Sequence, residues 1–200
     1  MSHAAGAHDA ELDPRVERSR RVILEAVLDE LGEVGYGPMT IEAVAARAGV
    51  GKSTIYRHWP GKLELVEDAF RTLKAAVAVP QGGSFRDRVV GLVEQVARLV
   101  AESTYSTCMP ALIDAAERDP KVRDFHHRFS AERRAVLVDL LRSGVDNDEL
   151  PATSDPELLA DALVGPILLR RLMMSTPYDP ELVPALVDQV LPTPPKPERR

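Results

Sequence analysis

Residues 40–62, with the sequence TIEAVAARAGVGKSTIYRHWPGK, restrict the possible fold of this chain more than any other stretch. Thr40 is a favoured helix N-cap, and Met39 and Val44 stand at the two positions of a hydrophobic staple. The apolar residues that follow recur at the spacing of one buried helical face, and they are Ile41, Val44, Ala45 and Ala48. Gly49-Val50-Gly51 then predicts a tight turn into a second helix. The stretch is therefore typical of a helix-turn-helix.

The second helix of this pair is predicted to present a basic face. Ile55 and Trp59 lie one turn apart on its inner side, and the outward residues are Lys52, Ser53, Tyr56 and Arg57. Every charged residue between Ala43 and Leu63 is basic, although the whole chain has a formal net charge of −6. Cations mixed with hydroxyl and aromatic groups suit a helix in the major groove of DNA. The pattern predicts DNA binding, and an ordinary solvated helical hairpin is the alternative that it leaves open.

A competing motif in the same stretch is the end of a Walker A loop, Gly51-Lys52-Ser53. That motif requires a glycine five residues before its Gly-Lys pair and a strand that feeds the loop. Ala46 occupies the glycine position, and the preceding segment has helical spacing. An ATP-binding loop is therefore excluded.

The order of side chains in this region resembles the DNA-binding region of the TetR (tetracycline repressor-like) transcriptional regulators, from Arg18 to about Leu65. The matching residues are Thr40, Ile41, Val44, Ala45, Ala48-Gly49-Val50, Thr54-Ile55-Tyr56, His58-Trp59, Lys62 and Leu65. Two positions depart from the family pattern. Gly51 stands where the family usually has a capping Ser, and Trp59 replaces the commoner Phe.

The resemblance implies which residues contact double-stranded operator DNA. Thr40, Tyr56, His58 and Lys62 are expected mainly at phosphates, whereas Gly51, Lys52, Ser53 and Arg57 are expected nearest the bases, with Thr54 in the same interface. It also implies a homodimer on a palindromic operator, acting as a repressor that a small effector releases. A transcriptional activator of the same fold is the alternative, and a helical enzyme is the rival from another class.

Composition predicts an all-α fold of about nine helices, because aromatic and alternating β-branched runs are scarce and apolar residues recur with helical period. No apolar run approaches a membrane span, and the first residues lack the pattern of a signal peptide, so we expect a cytoplasmic protein without a membrane partner. The single Cys108 cannot form an internal disulfide. We expect no cofactor and no metal, because the His residues lack metal-ligand spacing, and no catalytic residues, because no motif places a nucleophile beside a base.

The chain is predicted to consist of two domains between disordered tails. The predicted ranges are 1–13 for the first tail, 14–65 for the helix-turn-helix domain, 66–191 for a regulatory domain and 192–200 for the second tail. The first helix is expected to start at Pro14 after the N-cap Asp13 and to stop at Gly35. A fourth helix, from Lys62 to about Val77, is expected to join the two domains.

Prolines punctuate the predicted helices of the second half. Pro110 and Pro120 are expected to break the chain on either side of a short helix from Ala111 to about Glu117. The longer helices are expected at residues 84–103, 121–143, 156–174 and 180–191. Residues 156–174 are apolar on nearly every side, which implies burial by more than one neighbour and, with the resemblance, a dimer interface. The expected interface residues are Leu159, Leu163, Leu168, Leu169, Leu172, Met173, Leu186, Val187 and Val190.

A small, largely apolar effector is expected among the helices of the second half, partly from the resemblance and partly from the apolar and aromatic side chains there. The candidate residues are Leu73, Val96, Tyr105, Cys108, Met109, Leu112, Phe125, His126, Phe129 and Leu169. Most of them are equally well explained as ordinary core residues. Cys108 is a candidate redox sensor or a small buried hydrophobe. Of the adjacent His126 and His127, one is expected to be buried and the other exposed.

Overall fold

The computed structural model describes residues 14–73 and 77–192, and within these ranges it contains helices and no strand. The helices are α1 Pro14–Val34, α2 Ile41–Ala48, α3 Lys52–His58, α4 Lys62–Thr72, α5 Phe85–Glu102, α6 Thr104–Arg118, α7 Pro120–Asp146, α8 Pro156–Leu172 and α9 Val183–Val190, with a 3₁₀ turn at Pro180–Leu182. The all-α prediction is confirmed. The predicted N-cap Asp13 and nearly all of both predicted tails, residues 1–13 and 193–200, lie outside the described residues.

Helix α1 carries the apolar stripe that the sequence predicts. Its buried residues include Ile23, Leu24, Val27, Leu28 and Leu31. The helix ends at Val34, and Gly35 follows with φ 86°, a left-handed conformation that favours glycine. The stripe packs against α2 and α4 on one side and against α6 on another. Helix α1 therefore belongs to both halves of the molecule.

The buried apolar residues form two clusters, which we call the first core and the second core. The first core joins α1–α4 to residues of α6 and of the first turns of α7, down to Phe129. The second core joins α5, α8, α9 and the later turns of α7. Because Leu65, Val66 and Phe70 of α4 are all buried in the first core, that core continues past the boundary predicted after residue 65.

Helix α6 runs without interruption through Pro110, so the prediction of a break there is wrong. Proline has no N–H, and it leaves the carbonyl four residues earlier, that of Ser106, without its helical donor. Arg171 of α8 supplies the replacement, because its Nη2 donates to the Ser106 carbonyl at 2.9 Å and its Nε donates to the Ser106 hydroxyl at 2.7 Å. A side chain from another helix thus stabilises a helix that its own sequence would interrupt.

The limits of α4 and α7 also differ from the predictions. The described part of α4 ends at Thr72 rather than near Val77, because the N–H of Leu73 turns to the carbonyls of Phe70 and Arg71 in a tightened last turn. Pro120 ends α6 as predicted and is also the first residue of α7, preceded by the N-cap Asp119.

Helix α8 is buried on one side only within the chain. Its inner residues, Ala160, Leu163 and Ile167, pack in the second core with Val183 and Val187 of α9. The prediction that Leu163 and Val187 contact a second subunit is therefore wrong, because both side chains are fully buried within one chain. No helix in the described part of the chain is long and apolar enough to cross a membrane.

Replacing Arg171 by Met should lower the free energy of unfolding by about 1–3 kcal/mol, because the buried polar atoms of Ser106 lose their donors. In a Pro110→Ala background the same replacement should cost about 1 kcal/mol less, because residue 110 then supplies the helical N–H. Urea denaturation of the four proteins measures this coupling. A coupling energy of zero would show that Arg171 does not replace the missing bond.

Candidate nucleic-acid interface

The turn between α2 and α3 is closed by backbone hydrogen bonds around Gly49. This glycine has φ 66°, the N–H of Val50 donates to the Ala45 carbonyl at 3.0 Å, and the Gly49 N–H donates to the Ala46 carbonyl at 3.2 Å. Together these bonds form a Schellman motif, which requires a left-handed residue and therefore favours glycine. At the other end of α2, the Thr40 hydroxyl accepts a hydrogen bond from the Ala43 N–H at 3.1 Å.

Helix α3 buries one side and exposes the other, as the sequence predicts. Ile55 and Trp59 are buried in the first core, and Gly51 is the N-cap without a side-chain hydrogen bond. The exposed residues are Lys52, Ser53, Tyr56, Arg57 and His58, whereas Thr54 is half-buried. The structure therefore exposes all the α3 residues predicted to contact DNA except Thr54.

Ion pairs reduce the free charge of the basic stretch. Arg47 donates to Glu30 at 3.0 Å and to Glu33 at 3.0 and 2.5 Å, so its charge is balanced by two carboxylates of α1. Lys52 contacts Glu42 at 2.9 Å, and both side chains are more than half exposed. Arg57 has no ion pair with any residue that the structure describes. Arg57 is thus the cation of α3 with the least internal compensation.

Lys62 has a different environment from the one predicted for a phosphate ligand. Its ammonium donates to the carbonyls of Tyr36, Gly37 and Met39 at 2.7, 3.2 and 3.1 Å. The ammonium also lies 4.3 Å from the centroid of the Tyr36 ring, and burial lowers its pKa. Because an ammonium has three donors, these carbonyls use all of them. Lys62 fastens the loop between α1 and α2 to the start of α4.

A buried carboxylate connects α3 to two other helices. Asp68 of α4 accepts from the indole Nε1 of Trp59 at 2.9 Å and from Nη2 of Arg20 in α1 at 2.6 Å. Apart from the replacement of Phe by Trp, no pattern in the sequence indicates this contact. The first turns of α1 also lie beside the end of α3, because Arg18, Arg21 and His58 line one groove of about 800 Å³.

Comparison with known proteins identifies the family. The model for bacterial regulatory proteins of the tetR family matches residues 23–69, and the model for the tetracyclin repressor-like C-terminal domain matches residues 79–190. An HTH-type transcriptional regulator of Mycobacterium tuberculosis is 35% identical over 92% of this chain and 91% of its own. The chain belongs to the TetR family of transcriptional regulators.

Other TetR-family proteins agree with this assignment. The DNA-binding transcriptional repressor TetR of Mycobacteroides abscessus is 30% identical over 88% of this chain and 94% of its own. The crystal structure of the TetR family transcription regulator SCO0332 superposes with a TM-score of 0.66 at 29% identity, covering 86% of this chain and 96% of that one. The prediction of a TetR-type regulator is confirmed, and the relatives are named as regulators rather than as enzymes.

The residues predicted for an effector site do not form one group. Tyr105, Phe125 and Phe129 meet around Phe70, whose ring centroid lies 6.4, 5.9 and 5.4 Å from theirs. Leu73, Cys108 and Leu112 also belong to or pack against the first core, whereas Val96 and Met109 lie with the second core. Leu169 is 53% exposed on α8, so its assignment to the same site is wrong. The helical spacing of Leu65, Val66, Ala69 and Phe70 would have identified Phe70, which the sequence analysis missed.

The two adjacent histidines of α7 differ in burial. His126 is half-buried with its Nε2 3.4 Å from the Ser130 hydroxyl, and His127 is exposed, as expected for neighbouring helical residues. Within residues 14–73 and 77–192, no three His, Cys, Asp or Glu side chains are grouped so that they could hold a metal.

Cys108 has the environment of an unreactive thiol. Its Sγ is buried and donates to the Leu28 carbonyl at 3.2 Å. Burial, with a smaller effect from Asp29, raises the pKa of the thiol to about 11. Since the thiolate is the reactive form, the structure favours the role of a small buried hydrophobe over that of a redox sensor.

Native protein at pH 8 should react with a disulfide reagent such as dithiobis-nitrobenzoate about 100-fold more slowly than the same protein unfolded in urea, because a rise of two pKa units lowers the thiolate fraction by that factor. Absorbance of the released thiolate measures both rates. Equal rates in the native and unfolded protein would contradict the buried, protonated thiol.

Proposed function

We propose that this TetR-family protein is a homodimeric repressor that binds a palindromic operator and is released from it by a small, largely apolar effector. The observation that carries the proposal is the exposed face of α3, on which Arg57 and Lys52 project from a helix anchored by buried Ile55 and Trp59. The repressor of Mycobacteroides abscessus, to which the chain is similar over most of its length, supports the direction of regulation.

We assign the residues of α3 to two parts of the DNA, the bases and the sugar-phosphate backbone. Arg57 and Lys52, with Gly51 and Ser53, are proposed nearest the bases, and Lys52 can exchange its exposed partner Glu42 because a surface ion pair contributes only about 0–1 kcal/mol. We propose that the DNA sugar-phosphate backbone is contacted by Tyr56, His58, Thr54 and the Thr40 hydroxyl. Polar side chains of this kind position a protein on the duplex. We assign Lys62 to the loop that it fastens and no longer to a phosphate.

The proposed dimer interface is the outer face of α8 and α9. Residues at helical spacing along α8 are all exposed: Leu158, Ala162, Gly165, Leu169 and Met173. Leu158, Leu169, Met173 and, next to α9, Leu182 are 67, 53, 78 and 48% exposed, which is unusual for apolar side chains. Ala162 and Gly165 in the middle of the stripe would let a second helix approach closely. Half-buried neighbours complete the face: Leu159, Leu168, Leu172, Leu186 and Val190.

The proposed effector lies against the aromatic residues between α4, α6 and α7, around Phe70, Tyr105 and Phe129. Helix α4 connects this region to α3 through Asp68 and Trp59, so a ligand that displaces α4 also displaces the DNA-contacting surface. A hundredfold loss of operator affinity requires that the ligand favour the DNA-incompetent state by about 2.7 kcal/mol.

Selection of binding sites from random DNA should yield a palindrome, and the selected site then serves to test individual residues. Arg57→Ala should weaken binding to the selected operator by about 1–3 kcal/mol more than binding to random DNA, because a base contact is lost.

Lys62→Met should leave the salt dependence of DNA binding unchanged, while it lowers the free energy of unfolding by about 1–3 kcal/mol. Gel shifts at several salt concentrations and urea denaturation measure these effects.

The exposed Lys121 of α7 provides the control, because its ammonium forms no hydrogen bond or ion pair with the described residues. Lys121→Met therefore removes the same charge without breaking a contact and should change neither affinity nor stability. If the slope of log K against log salt flattens by about 0.9 in Lys62→Met, Lys62 does contact a DNA phosphate. An equal loss on selected and random DNA in Arg57→Ala would refute base readout by this residue.

Leu169→Glu should convert the dimer to a monomer and abolish tight operator binding, because a buried unpaired carboxylate is incompatible with an apolar interface and two recognition helices must engage the DNA together. Val34→Glu is the matched control, since Val34 is also an exposed apolar residue, 44% exposed, but lies on α1. Sedimentation of both variants measures the assembly state. A monomeric wild type at micromolar concentration would refute the proposed interface.

A further inference from the structure

Arg133 interrupts an apolar line on α7. Phe125 and Phe129 precede it at intervals of one turn and belong to the first core, and Leu137 follows one turn later in the second core. The position of Arg133 is therefore that of a core residue at the junction between the two cores. The next residue, Arg134, is an ordinary surface cation that pairs with Asp161 and Glu157.

The guanidinium of Arg133 is held by aromatic rings and one carbonyl. Its central carbon lies 4.7 Å from the centroid of the Tyr105 ring and 4.8 Å from that of the Phe129 ring. Its Nη2 donates to the Leu73 carbonyl at 2.9 Å. Its Nη1 is buried and has no hydrogen-bond partner. No carboxylate of the described residues forms an ion pair with it.

This arrangement is costly for a group whose only role is structural. A buried donor without a partner destabilises the folded state, and more so when it carries a charge. Burial lowers the pKa of the guanidinium, as expected for a cation that lacks an opposite charge. Local violations of the rule that buried charges are paired are expected at functional sites.

We propose that Arg133 binds the carboxylate of the effector, whose apolar part lies against Tyr105, Phe129 and Phe70. The inference rests on the proposed function and specifies the effector as an apolar molecule with one acidic group. A guanidinium presents parallel N–H donors that match a carboxylate, and Nη1 is the donor that the protein leaves without an acceptor. The Tyr105 and Phe129 rings hold the guanidinium in place before the ligand arrives.

The same contact explains how the ligand acts on α4. Leu73 is the C-cap of α4, and its carbonyl belongs to the negative end of that helix, which the charge of Arg133 stabilises. A carboxylate on Arg133 neutralises this charge and competes with the Leu73 carbonyl for the guanidinium. The end of α4 then loses its hydrogen bond to α7, while Asp68 still connects α4 to α3.

The test uses matched acids and neutral analogues as probes: decanoate with decanol, and 4-phenylbutyrate with 4-phenylbutanol. Thermal shift and calorimetry are measured on the full chain in three forms: wild type, Arg133→Gln and Arg128→Gln. Arg133→Gln keeps an N–H donor for the Leu73 carbonyl but removes the charge. Arg128→Gln is the control, because Arg128 is an exposed cation on the same helix that pairs with Glu67.

The acids should bind wild type and Arg128→Gln at least tenfold more tightly than their neutral analogues, and Arg133→Gln should lose this preference. Decyl phosphate distinguishes a general anion site from a carboxylate site, and tighter binding of the phosphate than of decanoate would overturn the carboxylate assignment. Failure of both acids to bind wild type, or equal binding to Arg133→Gln, would overturn the proposal.

Unliganded Arg133→Gln should be about as stable as wild type, because losing the favourable charge at the end of α4 is offset by removing a half-buried cation whose Nη1 has no acceptor. Lower stability together with unchanged acid binding would show that Arg133 is only structural. If Arg133→Gln does not fold, Arg133→Lys takes its place, and acid binding should persist within tenfold because the charge remains. A gel shift of the selected operator by wild type without any probe tests DNA binding separately. Failure of the proposed function is therefore distinguishable from failure of the acid site.

Discussion

The burial of α1 against both halves of the molecule is the constraint on which the arrangement of the other helices depends. Ile23, Val27 and Leu31 have no exposed surface, and the helix packs on α2 and α4 as well as on α6. The helix-turn-helix is therefore not a separate body on a flexible arm. Helix α1 therefore connects α6 to α2 and α4 by direct packing.

The charge of the DNA-facing surface is set by residues outside the basic stretch. Arg47 is compensated by carboxylates that precede it on α1, and Lys62 is surrounded by carbonyls of the loop after α1. A window of sequence without acidic residues is therefore not a surface without acidic neighbours. On α3, Lys52 pairs only with the exposed Glu42, and Arg57 forms no ion pair with any described residue.

Local features of the chain were predictable and distant contacts were not. The cap at Thr40, the turn at Gly49 and the buried pair Ile55 and Trp59 follow from side-chain spacing within a few residues. The continuity of α6 depends on a residue 65 positions away from Ser106, and Leu163 is buried by partners that no periodicity identifies. An apolar helix in the sequence indicates burial without indicating whether the partner is the same chain or a second one. For the same reason the sequence does not reveal the environment of Arg133, which resembles the other cations of a charged helix.

The contact between Trp59 and Asp68 connects the end of α3 to α4. A Phe at position 59 would fill similar space but would have no N–H, and Asp68 would lose one of the two donors that satisfy a buried carboxylate. Because Trp59 caps α3 and Asp68 lies on α4, the orientation of the DNA-contacting helix is fixed to α4 by a bond that depends on direction, not only by apolar packing. The far end of α4 is held by Arg133 at the Leu73 carbonyl. One short helix, α4, thus makes a polar contact with Trp59 at the end of α3 and another with Arg133 of α7, and these two contacts connect α3 to the second half of the chain.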